Sequence, residues 1–403
     1  MARIQEDNNP LKTVFKLAPL AMCYVVAMDL IVPAIPELVK IFHSSQVKVQ
    51  LIISLFSLSG GIMQLFIGPL LEKHGRRKIG LICAVLYILA SLLCAFSINL
   101  LLLIISRFIQ AFFATGLLVT SFAVIKDIYT NKDAAQSYNF LNAVMGISPL
   151  LAPVLGSYLD IWFGWRSMFI FLSILGIITY FIIYYYINET IKKKSTEPLN
   201  LSVFRHYYHI WKNKQFLKYT AAVTSGITYL LIFFSISPYI LQTLLGLSKV
   251  EFSFWFAFMG IAVFSGSIFG AKLVTKIGIL NSVYFGIILS LFGSFLMLFW
   301  YILFGLSIAN FVIPMIFVGI GGIICMGSGT AGAMELFPDF AGIASASVCF
   351  FEFSVSAVIG IIVMSWKVNS TLSFSIPCII ISLMMFIIFS IEVIKTKRTE
   401  RPS

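Results

Sequence analysis

The sequence predicts an all-α integral membrane protein with twelve transmembrane helices in two six-helix bundles. Hydrophobic residues make up 60% of its 403 positions and charged residues only 11%, against roughly 45–50% and about 25% in soluble chains. A soluble fold of this size needs a charged exterior, so this chain must use lipid as its solvent. The alternating ten-residue segments of membrane β-barrels are missing, and only helices satisfy every backbone group within one segment.

Apolar runs long enough to cross a bilayer, about 20 residues each, occur twelve times along the chain. The first run follows a polar start, MARIQEDNNPLK, so we expect no cleavable signal peptide. The predicted spans are 15–37, 50–71, 79–98, 100–125, 137–161, 167–187, 217–243, 252–275, 282–303, 308–332, 342–366 and 373–394.

The distribution of Lys and Arg predicts the orientation. With the N-terminus inside the cell, 22 of the 28 basic residues fall in cytoplasmic tails and loops, and five fall on the other side. Cytoplasmic loops carry such an excess in membrane proteins. Both termini are therefore predicted to be cytoplasmic. The net charge of +12 is then an orientation signal, and we expect no binding of nucleic acid.

One long connection divides the predicted helices six and six. Residues 188–216 are polar and basic, and we expect a solvated linker there rather than a lipid-binding or partner-binding segment. The predicted domains are an N-terminal bundle (1–187), this cytoplasmic linker and a C-terminal bundle (217–403). The segments 68–76 and 271–279 share Leu, Lys and Gly at an offset of 203 residues, which predicts a parallel repeat of the two halves.

The segment GPLLEKHGRRKIG (68–80) resembles the loop motif G-x-L-x-D-R-x-G-R-R of the major facilitator superfamily. The matching or conservatively replaced residues are Gly68, Leu70, Glu72, Lys73, Gly75, Arg76 and Arg77. Its acid and arginines can pair with neighbouring helix ends, and Gly68 can permit close helix approach. Such a gating latch would favour one conformation, here the outward-open one. The alternative is a basic loop that only sets the topology.

Further segments resemble the twelve-helix drug:proton antiporters of the Bcr/CflA type. They are MDLIVPAIPEL (28–38), RFIQAFFA (107–114), GWRSMF (164–169) and AGIASAS (341–347). The antiporter signature is matched by Gly146, Pro149, Pro153 and Gly156, although its usual Gly-Pro pair is Ser148-Pro149 here. The resemblance implies a major facilitator fold and a bend in the fifth helix that gates the pathway and limits leakage. The alternative is a tolerated kink.

Three ionisable side chains lie well inside predicted spans, namely Asp29, Arg107 and Glu352. Such residues are costly in a bilayer, so each should be paired or functional. At about 1.5 Å per residue, Asp29 and Arg107 lie at similar depths, roughly 12 and 10 Å below the outer ends of their helices. In the superfamily's arrangement both helices line the central cavity. We therefore expect the two residues to face one cavity and to be electrostatically coupled in proton transfer. A structural ion pair is the alternative.

Two other polar residues are candidates for the cavity. Glu352 has no expected counterpart in the antiporter pattern, and three roles stay open: a second proton carrier, a site for cationic cargo, or a protonated, hydrogen-bonded helix contact. Gln110 stands three residues after Arg107 and shares its helix face. We expect Asp29, Gln110 and Glu352 to line the substrate cavity.

The leading hypothesis is a proton-coupled exporter of small amphipathic compounds or drugs, which works by alternating access as a monomer in a bacterial inner membrane. The alternative is a dedicated exporter of a metabolite or siderophore, or a nutrient importer. The chain has no HExxH, no nucleophile with its base and no Walker motif, so we expect neither an enzyme nor an ATP-driven pump. The six cysteines lie in apolar runs without CxxC spacing, which predicts no disulfide, metal or cofactor site.

Overall fold

A computed structural model describes residues 10–190, 201–366 and 368–399. The backbone divides into two compact units, Met1–Val203 and Phe204–Ser403. Every regular element in the described ranges is helical. The α-helices of the first unit are α1 (Pro10–Asp29), α2 (Ile35–Ile41), α3 (Gln46–His74), α4 (Arg76–Ala95), α5 (Leu100–Ile128), α6 (Asn131–Gly146), α7 (Ser148–Phe163) and α8 (Arg166–Tyr186).

The second unit continues the all-helical pattern. A π-helical turn, Tyr239–Leu244, extends α10, and a 3-10 turn, Pro338–Phe340, precedes α13. The α-helices are α9 (Leu201–Trp211), α10 (Lys214–Pro238), α11 (Lys249–Phe304), α12 (Ile308–Glu335), α13 (Ala341–Met364) and α14 (Leu372–Thr399).

Eleven helical segments within the described ranges are long and apolar enough to cross a membrane. The longest, α11, covers two predicted spans because its backbone leaves the helical conformation only at Gly278, with φ 78° and ψ 171°. The prediction of an all-helical membrane protein is confirmed. The count of twelve helices and the cytoplasmic position of both termini stay predictions.

The backbone repeats one element in the two units. Helices α3 and α11 begin 203 residues apart, the offset of the sequence repeat. Each is capped by a serine, Ser45 or Ser248, whose hydroxyl accepts a backbone N–H three residues on at 3.3 Å. Gly75 and Gly278 share positive φ values of 97° and 78°, which only glycine adopts readily. The same helix–glycine–helix element therefore occurs in both units.

Two predicted spans of the first unit are interrupted. The first ends its α-helix at Asp29 and continues through a 3-10 turn, Val32–Ala34, into α2. The fifth is split between α6 and α7 at Ile147, just before Ser148-Pro149. Proline lacks the N–H that an uninterrupted helix needs and clashes with the preceding turn. Each break interrupts the hydrogen-bond ladder of its helix within the span, although Ile147 keeps helical φ and ψ values of −77° and −23°.

Part of the segment predicted to be a solvated linker is a packed helix. Ile210 of α9 is buried with Phe216 and Val348 of the same unit. Trp211 stacks on Phe350, with ring centroids 5.6 Å apart and an interplanar angle of 12°. The apolar face of α9 thus packs on α10 and α13. The high overall polarity of residues 188–216 hides this face in the sequence. Residues 191–200, with the three consecutive lysines, lie outside the described ranges.

Candidate functional site

Two helix ends created by the interruptions meet at a buried carboxyl group. Asp29 is the last residue of α1 and Ser148 is the first residue of α7. The Ser148 hydroxyl donates a hydrogen bond to Oδ2 of Asp29 at 2.7 Å, and the two residues are 4% and 1% exposed. The N-terminus of a helix favours a negative charge beside it. In membrane proteins, interrupted helices of this kind commonly build ion and substrate sites.

Gly156 fixes the distance between these two chain segments. It lies two turns into α7, where a Cβ atom in its place would overlap the backbone carbonyl of Leu30. Leu30 directly follows Asp29, so the absent side chain lets α7 cross the broken end of α1. The rest of the signature shapes α7: Gly146 ends α6, Pro149 stands in the first turn of α7, and Pro153 is buried within it. Together these residues bring the Ser148 hydroxyl within hydrogen-bond distance of the Asp29 carboxyl group.

Arg107 is fully buried in α5, and it contacts residues of α5 and α3. Its Nη1 donates to Oε1 of Gln110 at 2.7 Å, and its guanidinium carbon lies 4.0 Å from the ring centroid of Phe56. No ion pair joins Arg107 to Asp29 in the described structure. The alternative of a structural ion pair therefore finds no support in the described structure, and the expected electrostatic coupling of the two residues stays a prediction. Equal depth does not fix the rotation of a helix about its axis, and Asp29 turns to Ser148 instead.

Gln110 extends the contacts of Arg107 to another helix. Its Nε2 donates to the Ser91 hydroxyl of α4 at 2.8 Å, and Gln110 itself is fully buried. The Tyr87 hydroxyl, one turn before Ser91, donates to the backbone carbonyl of Cys23 in α1 at 3.1 Å. A polar path thus runs from α5 through α4 to α1. In this structure Gln110 orients Arg107.

Glu352 lies in α13 of the second unit and is 9% exposed. Its carboxylate has no hydrogen bond to any residue that the structure describes. Its backbone carbonyl accepts the hydroxyl of Ser356, which also contacts the Thr228 hydroxyl of α10 at 2.8 Å. The interpretation of Glu352 as a hydrogen-bonded helix contact therefore finds no support. A proton carrier and a cation site stay open.

Two polar residues of α7 were missed by sequence analysis. Ser148 was noted only as a departure from the usual Gly-Pro pair, although its hydroxyl is the hydrogen-bond partner of Asp29. Asp160 is a further buried acid, 4% exposed. Its position at the last-but-one residue of the predicted span made it look like an interfacial residue. Hydropathy locates the end of a span but does not report which side chains turn inward.

The latch residues form a polar network at one end of the first unit. Arg76 Nε donates to Oδ2 of Asp127 at 3.1 Å, and the Thr190 hydroxyl donates to the same oxygen at 2.7 Å. The backbone N–H of Arg76, the first residue of α4, donates to Glu189 at 2.8 Å. The first unit thus supplies two acids, Asp127 and Glu189, that the loop motif does not contain.

Among the other motif residues, Arg77 contacts a neighbouring helix end as expected, whereas Glu72 and Gly68 do not make the expected contacts. Arg77 donates to the backbone carbonyl of Tyr184 at 2.8 Å. Glu72 is exposed and makes no ion pair with a described residue. The expectation that Gly68 permits close helix approach is wrong, because a Cβ added there meets no described atom within 4 Å. The backbone carbonyl oxygen of Leu70 lies 3.3 Å from Nδ1 of His74, in the last turn of α3.

We expect Asp127→Asn to destabilise the purified protein. Asparagine keeps the size of the side chain but leaves the charge of Arg76 without its partner, at a cost of about 1–3 kcal/mol. Thermal unfolding in detergent measures the effect. Glu72→Gln is the matched control, because Glu72 is an exposed acid of the loop motif that makes no ion pair with a described residue, and its loss should leave the melting temperature unchanged. Equal melting temperatures for both variants would show that the network does not stabilise the unit.

Most of the chain matches one protein family. Residues 17–361 match the family profile of the Major Facilitator Superfamily. The chain belongs to this superfamily. A solved structure, that of a POT family transporter in complex with a thioalcohol-conjugated peptide, shares the fold at a TM-score of 0.77 and 11% identity, over 97% of this chain and 96% of that one.

Two relatives of this superfamily chain are named for drug resistance. The bicyclomycin resistance protein homolog of Haemophilus influenzae is 25% identical over 393 residues, which are 95% of this chain and 97% of that protein. The chloramphenicol resistance protein of Pseudomonas aeruginosa is 28% identical over 339 residues, 83% of this chain and 79% of that protein. They confirm the resemblance to Bcr/CflA-type antiporters. The chain is thus a multi-pass membrane transporter of small molecules and not an enzyme.

Proposed function

We propose that this transporter exports small amphipathic compounds in exchange for protons, as a monomer in a bacterial inner membrane. The observation that carries the proposal is the buried Asp29 carboxyl at the meeting point of two interrupted helices. A group that binds one proton, held by helix ends within membrane spans, is what proton coupling requires. The similarity to two resistance proteins supports drugs or drug-like amphiphiles as the cargo.

The proposed cycle depends on the difference in free energy between a hydrated carboxyl group and one buried in the protein. An ionised carboxylate costs far more free energy to bury than a neutral one. Asp29 therefore takes up a proton before the pathway closes around it, and it releases the proton when water reaches it on the other side of the membrane. Ser148 and the start of α7 stabilise the ionised form during the exchange. Cargo and proton compete for the same group, so each turn exchanges one for the other.

Arg107 contributes a fixed positive charge in the same unit. Two of its nitrogens, Nε and Nη2, have no hydrogen-bond partner among the described residues. We propose that Arg107 acts on Asp29 through its charge at longer range and not through an ion pair. We propose that Gln110 and Phe56 hold this charge in place. Glu352 is proposed as a second acid of the pathway, either as a proton carrier or as a site for cationic cargo.

Reconstituted vesicles test the direction and the coupling together. We expect chloramphenicol or bicyclomycin to move against an imposed proton gradient, and addition of either compound to drive protons the opposite way, read by a trapped pH-sensitive dye. A protonophore should abolish both signals. Cargo and protons moving in the same direction would indicate a nutrient importer. Movement of neither compound with a pH gradient, but of a single metabolite or siderophore, would indicate a dedicated exporter.

A further inference from the structure

One face of α13 in the second unit is polar and leads to Glu352. Ser345, Cys349 and Glu352 stand four and three residues apart, the spacing that places side chains on one side of a helix. Ser345 is exposed, Cys349 is partly exposed and Glu352 is 9% exposed. Exposure therefore falls from the start of α13 towards the carboxyl group.

This polar face differs from the side of α13 that faces hydrocarbon. The exposed apolar residues of the helix are Val355, Val358 and Ile362. At 3.6 residues per turn, their direction differs from that of the polar face by roughly 100°. Beyond Glu352 the polar face closes, because Ser356 is fully buried and its hydroxyl lies 2.8 Å from that of Thr228 in α10. Glu352 therefore lies at the inner end of an open polar face.

The carboxylate of Glu352 is accessible and has no partner. It makes no hydrogen bond or ion pair with a described residue, and it is not among the enclosed polar atoms that lack a partner. Its oxygens therefore keep accessible surface. The nearest titratable group on the same face, the Cys349 thiol, is neutral near pH 7.

No charge of the neighbouring helices compensates Glu352, which is the only charged residue of α13. The charges of α10 and α12, which pack on α13, lie within five residues of a helix end, and those of α9 and the turn after it are exposed. These residues are Lys214, Lys218, Glu335, Arg205, His206, His209 and Lys212. Tyr219, Tyr229 and Cys325 of α10 and α12 are uncharged near pH 7. A buried carboxylate without a partner is costly, so a proton or a cation from outside the fold must neutralise it.

The residues at this position suit an organic cation better than a metal ion. In the described parts of the chain, no group of three or more His, Cys, Asp or Glu residues could hold a metal. Calcium and magnesium ions take about six or more oxygen ligands, whereas Glu352 offers one carboxylate. An organic cation with apolar substituents needs only a counter-charge and apolar surroundings.

We propose that Glu352 binds monovalent organic cations as cargo, and that each cation takes the place of one proton on this carboxyl group. Without cargo the carboxyl group keeps its proton, because the neutral form costs less to bury. When the cation pairs with the carboxylate, the proton leaves to water along the polar face. Neutral cargo brings no counter-charge and leaves this proton in place.

The predicted orientation agrees with uptake from the cell interior. With both termini in the cytoplasm, α13 begins on the cytoplasmic side, where an exporter takes up its cargo. The inference rests on the proposed export and adds a class of cargo to it. Glu352 is then the residue of the second unit that selects cargo by charge.

Proton release from the purified full-length protein tests the exchange, with Asp29→Asn as the background so that only Glu352 is observed. Tetraphenylphosphonium is the cationic probe and chloramphenicol the neutral one. We expect each bound tetraphenylphosphonium ion to release a proton into weakly buffered solution, read by a pH indicator, and chloramphenicol to release none. Glu352→Gln should abolish the release and weaken tetraphenylphosphonium binding at least about tenfold, whereas Glu352→Asp should keep both.

Glu251→Gln is the matched control. Glu251 is an exposed acid of the same unit, in the capping box at the start of α11, and glutamine can keep a capping box. The same chemical change at this position should alter neither binding nor proton release.

Cys349 supplies a second readout at the site. The other five cysteines are buried, so Cys349 is the thiol expected to react with N-ethylmaleimide, and Cys349→Ser should remove the labelling. Tetraphenylphosphonium should slow the labelling of Cys349 in the Asp29→Asn protein. It should not slow the labelling once Glu352→Gln is added.

Three outcomes would overturn the proposal. Undiminished tetraphenylphosphonium binding to Glu352→Gln would place the cation elsewhere. Proton release by chloramphenicol that depends on Glu352 would make this residue a proton carrier for cargo of any charge. Failure of the wild-type protein to bind tetraphenylphosphonium, with export of chloramphenicol intact, would refute the cation site and leave the proposed function standing. Proton release on cation binding without any export would refute the proposed function alone.

Discussion

Asp29→Asn is expected to reduce proton-driven transport to the level of empty vesicles while the protein stays folded. Asparagine is the same size and its side-chain oxygen still accepts the Ser148 hydrogen bond, but it cannot bind and release a proton. The measurement is cargo movement in proteoliposomes under an imposed pH gradient. Exchange of labelled for unlabelled cargo without a gradient should fall as well, because cargo competes with the proton for this carboxylate in the proposed cycle, and an unchanged melting temperature would show that the variant is folded.

The control for this variant is Asp133→Asn. Asp133 is an exposed acid in α6 of the same unit, so the change removes the same charge from a position in contact with water. It should leave gradient-driven transport unchanged. Undiminished proton-driven transport by Asp29→Asn would refute the assignment of Asp29 as the coupling group. It would leave the superfamily assignment intact, since that depends on the match over residues 17–361.

Gly156→Ala is expected to destabilise the protein by about 1–3 kcal/mol and to slow transport by at least about tenfold. The added methyl group overlaps the carbonyl of Leu30, and a backbone atom cannot turn aside as a flexible side chain can. Helix α7 must therefore move away from the end of α1, which draws Ser148 off Asp29. Thermal unfolding and vesicle transport measure the two effects.

Gly327→Ala is the matched control for Gly156→Ala. Gly327 lies in the membrane helix α12, is exposed, and a Cβ added there meets no described atom within 4 Å. The same chemical change should therefore leave stability and transport unchanged. If Gly156→Ala transports at the wild-type rate, close approach of α7 to α1 is not what positions the site.

Helix geometry explains which features of the site could be predicted from the sequence and which could not. Hydropathy and residue counts identified the membrane-spanning character of the chain, and the rarity of charge within spans singled out Asp29, Arg107 and Glu352. The partners of the first two, Ser148 and Gln110, depend on how α7 and α5 are rotated about their axes. Rotation leaves no mark on depth along a helix, so equal depth could not show whether Asp29 and Arg107 form an ion pair, and in the described structure they do not.

The loop motif also has partners that could not be predicted from the sequence, and these lie further along the chain. The loop motif was visible in the sequence because its glycine and arginines recur at fixed spacing. The acid that pairs with Arg76 is Asp127, 51 residues away, and Glu189 is still further along the chain. A polar residue near the end of a span has no distinguishing local pattern. Only the packing of α4, α5 and the chain after α8 brings these groups together.

The sequence by itself indicated the bilayer as solvent, the class of fold and the repeat of the two halves, because each is written in composition or in local spacing, and the resemblance of its motifs to known ones indicated the superfamily. The tertiary structure decided where the interrupted helices meet and which hydroxyl holds Asp29. These features arise from contacts between segments distant in the chain. Their free energy depends on helix rotation and close approach, which one-dimensional hydropathy does not record.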